Sequence, residues 1–191
     1  SDNGPWLIKG AAGGSSGPLR GGKGSTREDG VRVPTVAWWP GTVAAGTATM
    51  EITSMMDILP TFAALAGGKL PTAKIDGGDI SPILLGKAGA QSPHADLFYY
   101  FRGLKLEAVR SGPWKLQIAG GDPKKGKQKA KPDNSFPHLY NLADDIGETT
   151  DVAAAHADVV AKLQALAEKM KDDLGMDGVG PGCREMGRVA N

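Results

Sequence analysis

Cysteine is almost absent from this 191-residue chain, in which Cys183 is the single example. One thiol cannot form an internal disulfide framework or a cysteine-based metal site. Glycine and proline surround it at residues 180–184, and no activating base can be placed beside it in the sequence. We therefore interpret Cys183 as a free thiol in a loop and not as a nucleophile.

Charge of one sign is not in excess, because 22 lysines and arginines stand beside 21 aspartates and glutamates. The net charge of +1 gives no electrostatic argument for binding to nucleic acid or to an anionic membrane. Long apolar runs are lacking too, since proline or glycine interrupts each run before it reaches the ~20 residues that span a bilayer. The sequence therefore predicts no membrane span and no nucleic-acid partner.

Glycine and proline are abundant, with 28 and 13 copies, and predict many turns and long ordered loops. Residues 5–20 are predicted to be a surface loop. The β-rich residues 31–39 predict an edge strand or a strand that begins after Pro34, which cannot donate to a ladder. Residues 53–66 predict a helix, with Pro60 as the first residue of its second piece after a kink or short turn. Apolar residues recur there at spacings of three and four and predict one apolar stripe: Met55, Ile58, Leu59, Phe62 and Leu65.

The second half of the chain predicts a small antiparallel sheet and one long helix. Three short β-type runs separated by glycine turns indicate an antiparallel meander: residues 97–102, 106–110 and 114–118. Residues 138–142 are predicted to be a further short strand. The basic run of Lys124, Lys125, Lys127, Lys129 and Lys131 is interpreted as a solvated hairpin tip, because no aromatic residue is interleaved with the lysines. Residues 156–174 form the clearest amphipathic pattern, and Leu163 and Leu166 are predicted to pack this helix on the sheet.

Asp2, Asn3 and Lys23 are the candidate site residues. A carboxylate and an amide offer the oxygen ligands that Ca²⁺ and Mg²⁺ prefer. The Lys23 ammonium suits a sulfuryl or phosphoryl oxygen, and its glycine neighbours let the backbone approach a small anion. Each feature also has a purely structural interpretation. Asp2 and Asn3 are then an Asx turn that caps its own backbone, and Lys23 is a solvated loop lysine.

Six stretches, in this order and spacing, resemble the C-terminal half of the arylsulfatase family. They are SDNGP at residues 1–5, LRGGKGSTREDGVRVP at 19–34, WPG at 39–41, DILPT at 57–61, DGGDISP at 76–82 and LYNLADDIGE at 139–148. Because they extend along almost the whole chain, the protein is identified as a member of that family.

The resemblance implies an α/β fold. Residues 1–95 would be the C-terminal part of an alkaline-phosphatase-like mixed-sheet catalytic domain. Residues 96–191 would be a small α+β subdomain, with an antiparallel sheet packed on a C-terminal amphipathic helix. The resemblance also implies that the intact protein is secreted, periplasmic or lysosomal.

The resemblance further implies a sulfuric ester hydrolase that acts on small-molecule or saccharide sulfate esters. Asp2 and Asn3 match the family's late pair of metal ligands for Ca²⁺, with Mg²⁺ as an alternative, and Lys23 matches the lysine that contacts the sulfate group. The family's nucleophile is a formylglycine made from Cys or Ser. No Cys-x-Pro-x-Arg occurs in the chain, and its one Ser-x-Pro-x-Arg sequence, SGPLR at residues 16–20, follows the late ligand pair Asp2 and Asn3 inside the predicted surface loop. We therefore expect the formylglycine in an N-terminal portion of the same enzyme.

One further departure from the family pattern and two rival functions remain open at this point. Asp29 stands where the family usually has glycine, which is tolerable if its φ is negative or left-handed. No catalytic role is transferred to His94, His138 or His156, and the chain alone is expected to be inactive. The rivals are a phosphate-monoester or phosphonate hydrolase of the same superfamily and a non-catalytic assembly module.

Overall fold

The computed structural model describes residues 1–94, 97–120, 135–176, 178 and 182–184. These residues belong to two compact units, one comprising Ser1–Thr35 with Leu97–Cys183 and the other Val36–Asp96 with Arg184–Asn191, as far as they are described. The predicted lysine run, Lys124 to Lys131, lies outside the described residues. The predicted division into residues 1–95 and 96–191 concerns the intact protein and stays a prediction.

The first unit contains a four-stranded antiparallel sheet of order β1-β2-β3-β4. Its strands are β1 (Leu97–Arg102), β2 (Lys105–Ser111), β3 (Trp114–Gln117) and β4 (His138–Asn141). Gly103 and Gly112 supply the positive φ that the two tight turns require. The predicted meander is thus confirmed, with boundaries within about one residue.

One face of the sheet packs on α4 (Ala157–Leu174), a helix that ends at the left-handed Gly175. Because side chains alternate across a strand, every second residue of the central strands points to this face. Val109, Leu116 and Leu139 form the core there, together with Leu163 and Ala167 from the helix. The predicted packing of α4 on the sheet is confirmed, with Leu163 buried and Leu166 partly buried against this core.

The opposite face of the sheet is buried as well, beneath a segment from the start of the chain. This segment includes α1 (Glu28–Val31), and its residues 25–30 are all buried. The sheet side chains that face it are polar or aromatic, and three of them, Lys115, Gln117 and Tyr100, are at most 3% exposed. An antiparallel sheet with one apolar and one polar face would usually leave the polar face in water.

Two predictions for the first 39 residues are wrong. Residues 32–39 are described throughout and form no strand, because Pro34 removes a ladder donor and no neighbouring strand pairs with them. Residues 5–20 are not loop alone, since Leu7–Gly13 form a 3₁₀ helix that is kinked at Gly10.

The second unit is built around α2 (Ile58–Ala66), which follows a 3₁₀ turn at Met55–Asp57 and ends at the left-handed Gly67. Pro60 lies in the first turn of α2, where its missing amide costs no helical hydrogen bond. The second piece of the predicted helix therefore begins at Ile58, two residues before Pro60. A short helix, α3 (Ser81–Leu84), also belongs to this unit.

Hydrogen bonds from the DILPT stretch connect α2 to the loop that follows it. Asp57, fully buried, accepts from the Ser54 and Gly78 amides (2.7 and 2.9 Å) and lies 2.9 Å from Nε2 of His94. Thr61 Oγ1 accepts from the Ile80 amide (3.0 Å). These conspicuous polar residues therefore hold the loop in place.

The apolar stripe predicted for residues 53–66 is exposed in this chain, with Met55 77% and Phe62 61% accessible. An apolar stripe on a globular helix normally faces a core. Among the residues that the structure describes, no helix combines the length and the apolar character that crossing a membrane requires.

Candidate functional site

The turn that carries Asp2 and Asn3 is held against α1 by a close backbone approach. The Gly4 amide donates to the Gly30 carbonyl (3.2 Å), and a Cβ on Gly4 would collide with the Asp29 carbonyl. Glycine is thus required at position 4 by contact and not by its φ. The Asn3 amide nitrogen donates to Asp2 Oδ2 (2.6 Å), so the two predicted metal ligands are in direct contact.

The loop that carries Lys23 is tied to the same turn. The Lys23 amide donates to the carbonyl of Pro5 (2.8 Å), two residues after Asn3. Gly21 and Gly24, with φ of 99° and 82°, allow the chain to fold back there, and the Ser25 amide donates to the Gly22 carbonyl (3.0 Å). The glycines that the sequence places around Lys23 therefore set the loop conformation.

Asn3 and Lys23 line one open depression of about 400 Å³. Lys9, Arg32 and Trp6 line it as well, so basic side chains outnumber acidic ones in its wall. Asp2 does not line this depression but contacts Asn3 at its edge. The structure therefore brings the three predicted residues close together, and it adds Trp6, which the sequence analysis did not single out.

Asp29, the residue that replaces the family glycine, is accommodated inside α1. Its φ lies outside the left-handed region, because among the described residues Glu148 is the one non-glycine residue with positive φ. Asp29 also lines the depression but is only 3% exposed. Burial raises the pKa of its carboxyl, and a hydrogen bond from Ser16 partly opposes that rise.

A buried ionic cluster joins α1 to the sheet. Lys115 Nζ lies 3.0 Å from Glu28 Oε1 and 3.0 Å from Glu148 Oε1, and all three side chains are at most 1% exposed. Tyr100 donates to Glu28 Oε1 (2.7 Å), and Arg110 lies 3.5 Å from Glu28 Oε2. One buried lysine thus bridges two carboxylates from segments that are 120 residues apart, and Arg27 and Arg110 supply further positive charge.

The pKa of Glu28 is set by opposing effects. Burial alone would raise it, but the Lys115 ammonium, hydrogen bonds from Tyr100 and Lys115, and the Arg110 charge outweigh burial and lower it. Burial and the charge of Glu28 raise the pKa of Tyr100 well above its usual range. The Tyr100 hydroxyl therefore donates a hydrogen bond to a Glu28 carboxylate that remains ionised.

Sequence reasoning missed this cluster. Lys115 and Gln117 alternate with Trp114 and Leu116, a pattern that indicates a strand with one solvated face. Nothing in the strand itself shows that another segment covers that face. The signal that points toward the cluster is the pair of glutamates in the motif stretches, Glu28 and Glu148. Because they lie far apart in the sequence, no local pattern shows that they meet.

The three histidines and Cys183 stay outside the candidate site, as expected. His94 binds Asp57 in the second unit, His138 Nδ1 lies 2.8 Å from Asp151 Oδ2, and His156 packs against the Trp114 ring. In the described part of the chain, no group of three or more His, Cys, Asp or Glu side chains could hold a metal ion.

Comparison with known proteins decides the family. A sulfatase family model matches residues 1–68, and a model of the C-terminal region of aryl-sulfatase matches residues 92–179. The chain belongs to the sulfatase family. The resemblance drawn from the motifs is thereby confirmed.

Relatives of this sulfatase chain align over most of its length. Human arylsulfatase A is 40% identical over 185 residues, which cover 87% of the chain and 36% of that relative. Arylsulfatase G from dog (Canis lupus familiaris) is 34% identical over 191 residues, which cover 91% of the chain and 35% of that relative. The chain thus spans about a third of the length of these curated relatives.

A solved structure agrees with the expected fold. The crystal structure of Ps i-CgsB in complex with k-i-k-neocarrahexaose is 33% identical, with a TM-score of 0.69 over 91% of this chain and 35% of that protein. The predicted α/β class, with a small antiparallel sheet packed on a C-terminal helix, is confirmed.

Proposed function

We propose that the intact protein is a sulfuric ester hydrolase that cleaves the S–O bond of a sulfate ester and releases the alcohol and sulfate. The observation that supports this most directly is the convergence of Asn3 and Lys23 on one depression in a chain of the sulfatase family. Hydrolysis of an anionic ester is favoured by positive charge beside the sulfate oxygens, and Lys23 in the wall of the depression would supply it.

Asp2 and Asn3 fit two positions of a hard-cation site, which we assign to Ca²⁺, or alternatively Mg²⁺. The carboxylate and the amide already touch. Rotation of the Asn3 amide would turn its oxygen toward the same point, since the two ends of an amide have nearly the same shape. A bound cation would polarise the sulfate group. Because Ca²⁺ takes six to eight oxygen ligands, the other ligands would come from the N-terminal portion of the enzyme.

Lys23 would bind the non-bridging oxygens of the sulfate. Its side chain is exposed at the depression and forms no ion pair within the described residues, so its charge is available to an anion. A positive charge fixed there favours the transition state over the ground state when negative charge grows on the ester oxygens. Its backbone hydrogen bond to Pro5 would hold this lysine beside the ligand turn.

The nucleophile of this proposal is a formylglycine, located in the same N-terminal portion. We propose saccharide sulfate esters as the leading substrate class, because the related Ps i-CgsB was crystallised with k-i-k-neocarrahexaose. We also propose a secreted, periplasmic or lysosomal location for the intact enzyme. An upstream reading frame without any secretory leader would contradict that location.

The experiment compares variants of the intact enzyme on matched sulfate and phosphate esters. Lys23→Ala should lower kcat by about 10²–10³-fold, as the loss of a transition-state charge contact does in other enzymes. Lys87→Ala is the matched control, because Lys87 is an exposed lysine in a turn after α3. Asp2→Ala should raise the Ca²⁺ concentration needed for half-maximal activity.

Three results would oppose the proposal. Faster turnover of the phosphate ester would favour a phosphate hydrolase of the same superfamily. A wild-type enzyme without turnover of either ester would favour a non-catalytic module. A Lys23→Ala variant as active as Lys87→Ala would remove the assigned role of Lys23.

A further inference from the structure

The wall of the depression contains an aromatic ring beside two lysines. Trp6 is 50% exposed, although it is a large apolar residue, and lines the depression together with Asn3 and Lys23. The Lys9 and Lys23 ammonium groups lie 5.0 and 5.9 Å from the centroid of its ring. Cations at such distances are attracted to the face of an indole.

The backbone that carries the ring is held by hydrogen bonds. The Trp6 amide donates to the Gly13 carbonyl (2.8 Å), and the Trp6 carbonyl accepts from the Lys9 amide (2.9 Å). A Cβ on Gly13 would collide with the Trp6 carbonyl, so residues 6 and 13 close this small loop tightly. The indole therefore projects from a closed loop and not from a free strand end.

The charges around the ring lack an anion. Neither Lys9 nor Lys23 forms an ion pair in the described part of the chain, and the nearby Asp29 carboxyl is buried. Two positive charges beside one exposed ring would favour a ligand that offers both a flat ring face and more than one anionic group. Both lysine side chains are long and flexible, so they can turn from the indole toward such groups.

We propose that Trp6 and Lys9 form a substrate subsite that binds the ring carrying the scissile sulfate ester, with Trp6 stacking on the ring and Lys9 binding a second anionic substituent. This inference rests on the proposed function and adds a substrate class, a saccharide ring with at least two anionic groups. A sugar ring presents apolar C–H groups on one face, which pack well on an indole. Neither residue takes part in the reaction itself.

The experiment measures kcat and KM of the intact enzyme on two substrates, a disulfated disaccharide and an aryl sulfate with a single charge. Trp6→Ala should raise KM for the disaccharide about tenfold, with kcat nearly unchanged, because it removes a stacking surface. Trp6→Phe should restore most of the affinity. Lys9→Gln should raise KM about threefold for the disaccharide and leave KM for the aryl sulfate unchanged, as expected for loss of one exposed ion pair.

The outcomes separate this inference from the proposed function. If the wild-type enzyme hydrolyses neither sulfate, the proposed function fails first. If it hydrolyses both and the Trp6 and Lys9 variants keep their KM for the disaccharide within twofold, the subsite is refuted. Melting temperatures provide the structural control: a Trp6→Ala variant that melts lower and loses activity equally on both substrates would show that Trp6 supports the fold and not the substrate.

Discussion

Glu148 shows at the scale of one residue why a motif position can be fixed by structure alone. It has φ of 52°, a conformation that costs free energy for any residue with a Cβ. Its side chain accepts from the Glu28 amide (2.7 Å) and pairs with Lys115, while its carbonyl accepts from Arg20 (2.7 Å). These three interactions hold Glu148 in a conformation that glycine would adopt more easily.

We expect Glu148→Ala to destabilise the chain by about 3–5 kcal/mol, because it leaves part of the buried Lys115 charge and the Glu28 amide without a partner. Glu168→Ala is the control, since Glu168 is 65% exposed and pairs with Lys171 on the surface of α4. That change should alter stability by less than about 0.5 kcal/mol. Urea unfolding measures both, and equal losses would contradict the assigned importance of the buried cluster.

Glu28 predicts a pH dependence whose direction follows from its lowered pKa. The folded-state pKa lies below the ordinary 4.5, so the unfolded chain takes up a proton at a higher pH than the folded chain. The stabilisation is therefore fully present above pH 4.5 and is lost as the pH falls through the folded pKa. The difference in unfolding free energy between wild type and Glu28→Gln should shrink from about pH 6 to about pH 3. A constant difference over that range would show that Glu28 does not titrate in this way.

At the scale of elements, the packing stability of α4 depends more on one buried residue, Leu163, than on the residues of its charged face. Leu163 is 1% exposed and lies in the core with Val109 and Leu116. Leu163→Ala should cost roughly 2–5 kcal/mol, as large-to-small core changes do. The control is Gln164→Ala at an exposed position of the same helix. A loss below about 1 kcal/mol at Leu163 would mean that the helix does not depend on this contact.

The elements that could be predicted from the sequence are those whose partners lie inside the chain. The strands β1 to β4 and the helix α4 bury their apolar sides on each other, so periodicity alone locates them. Residues 32–39 have strand-like composition but no strand beside them, and composition cannot supply a partner. The stripe of α2 is a correct periodic pattern, yet Phe62 is 61% exposed, since a pattern predicts a face and not what covers it.

Sequence reasoning likewise predicts only part of the candidate site. The family motifs name Asp2, Asn3 and Lys23, and these residues lie close together because Gly4 and Pro5 tie their two loops. The ionic cluster and Trp6 escape sequence reasoning for different reasons. Glu28, Lys115 and Glu148 meet only through the sheet, while Trp6 looks like any exposed aromatic until its neighbours in space are known.

At the scale of the whole molecule, the chain supplies only part of the site that we propose. Asp2 and Asn3 offer two oxygen ligands, where Ca²⁺ takes six to eight. In the described residues, no group of three or more His, Cys, Asp or Glu side chains could hold a metal ion. A two-ligand site that is open to water gains little over the hydration shell that the cation must lose. The chain also contains no Cys-x-Pro-x-Arg sequence, and its one Ser-x-Pro-x-Arg sequence, at residues 16–20, follows Asp2 and Asn3, whereas we propose that the formylglycine precedes them.

We therefore expect the 191-residue chain alone to have no sulfatase activity and to bind Ca²⁺ weakly or not at all. Its melting temperature should not change when CaCl₂ is raised to several times the working concentration of the intact enzyme, because ligand stabilisation needs a concentration above Kd. NaCl at equal ionic strength is the control for nonspecific salt effects. The intact enzyme should be stabilised by Ca²⁺ and lose that stabilisation in Asp2→Ala. Turnover of a chromogenic aryl sulfate by the purified chain, or a calcium-dependent rise of several degrees that Asp2→Ala abolishes, would show that these residues form a complete site by themselves.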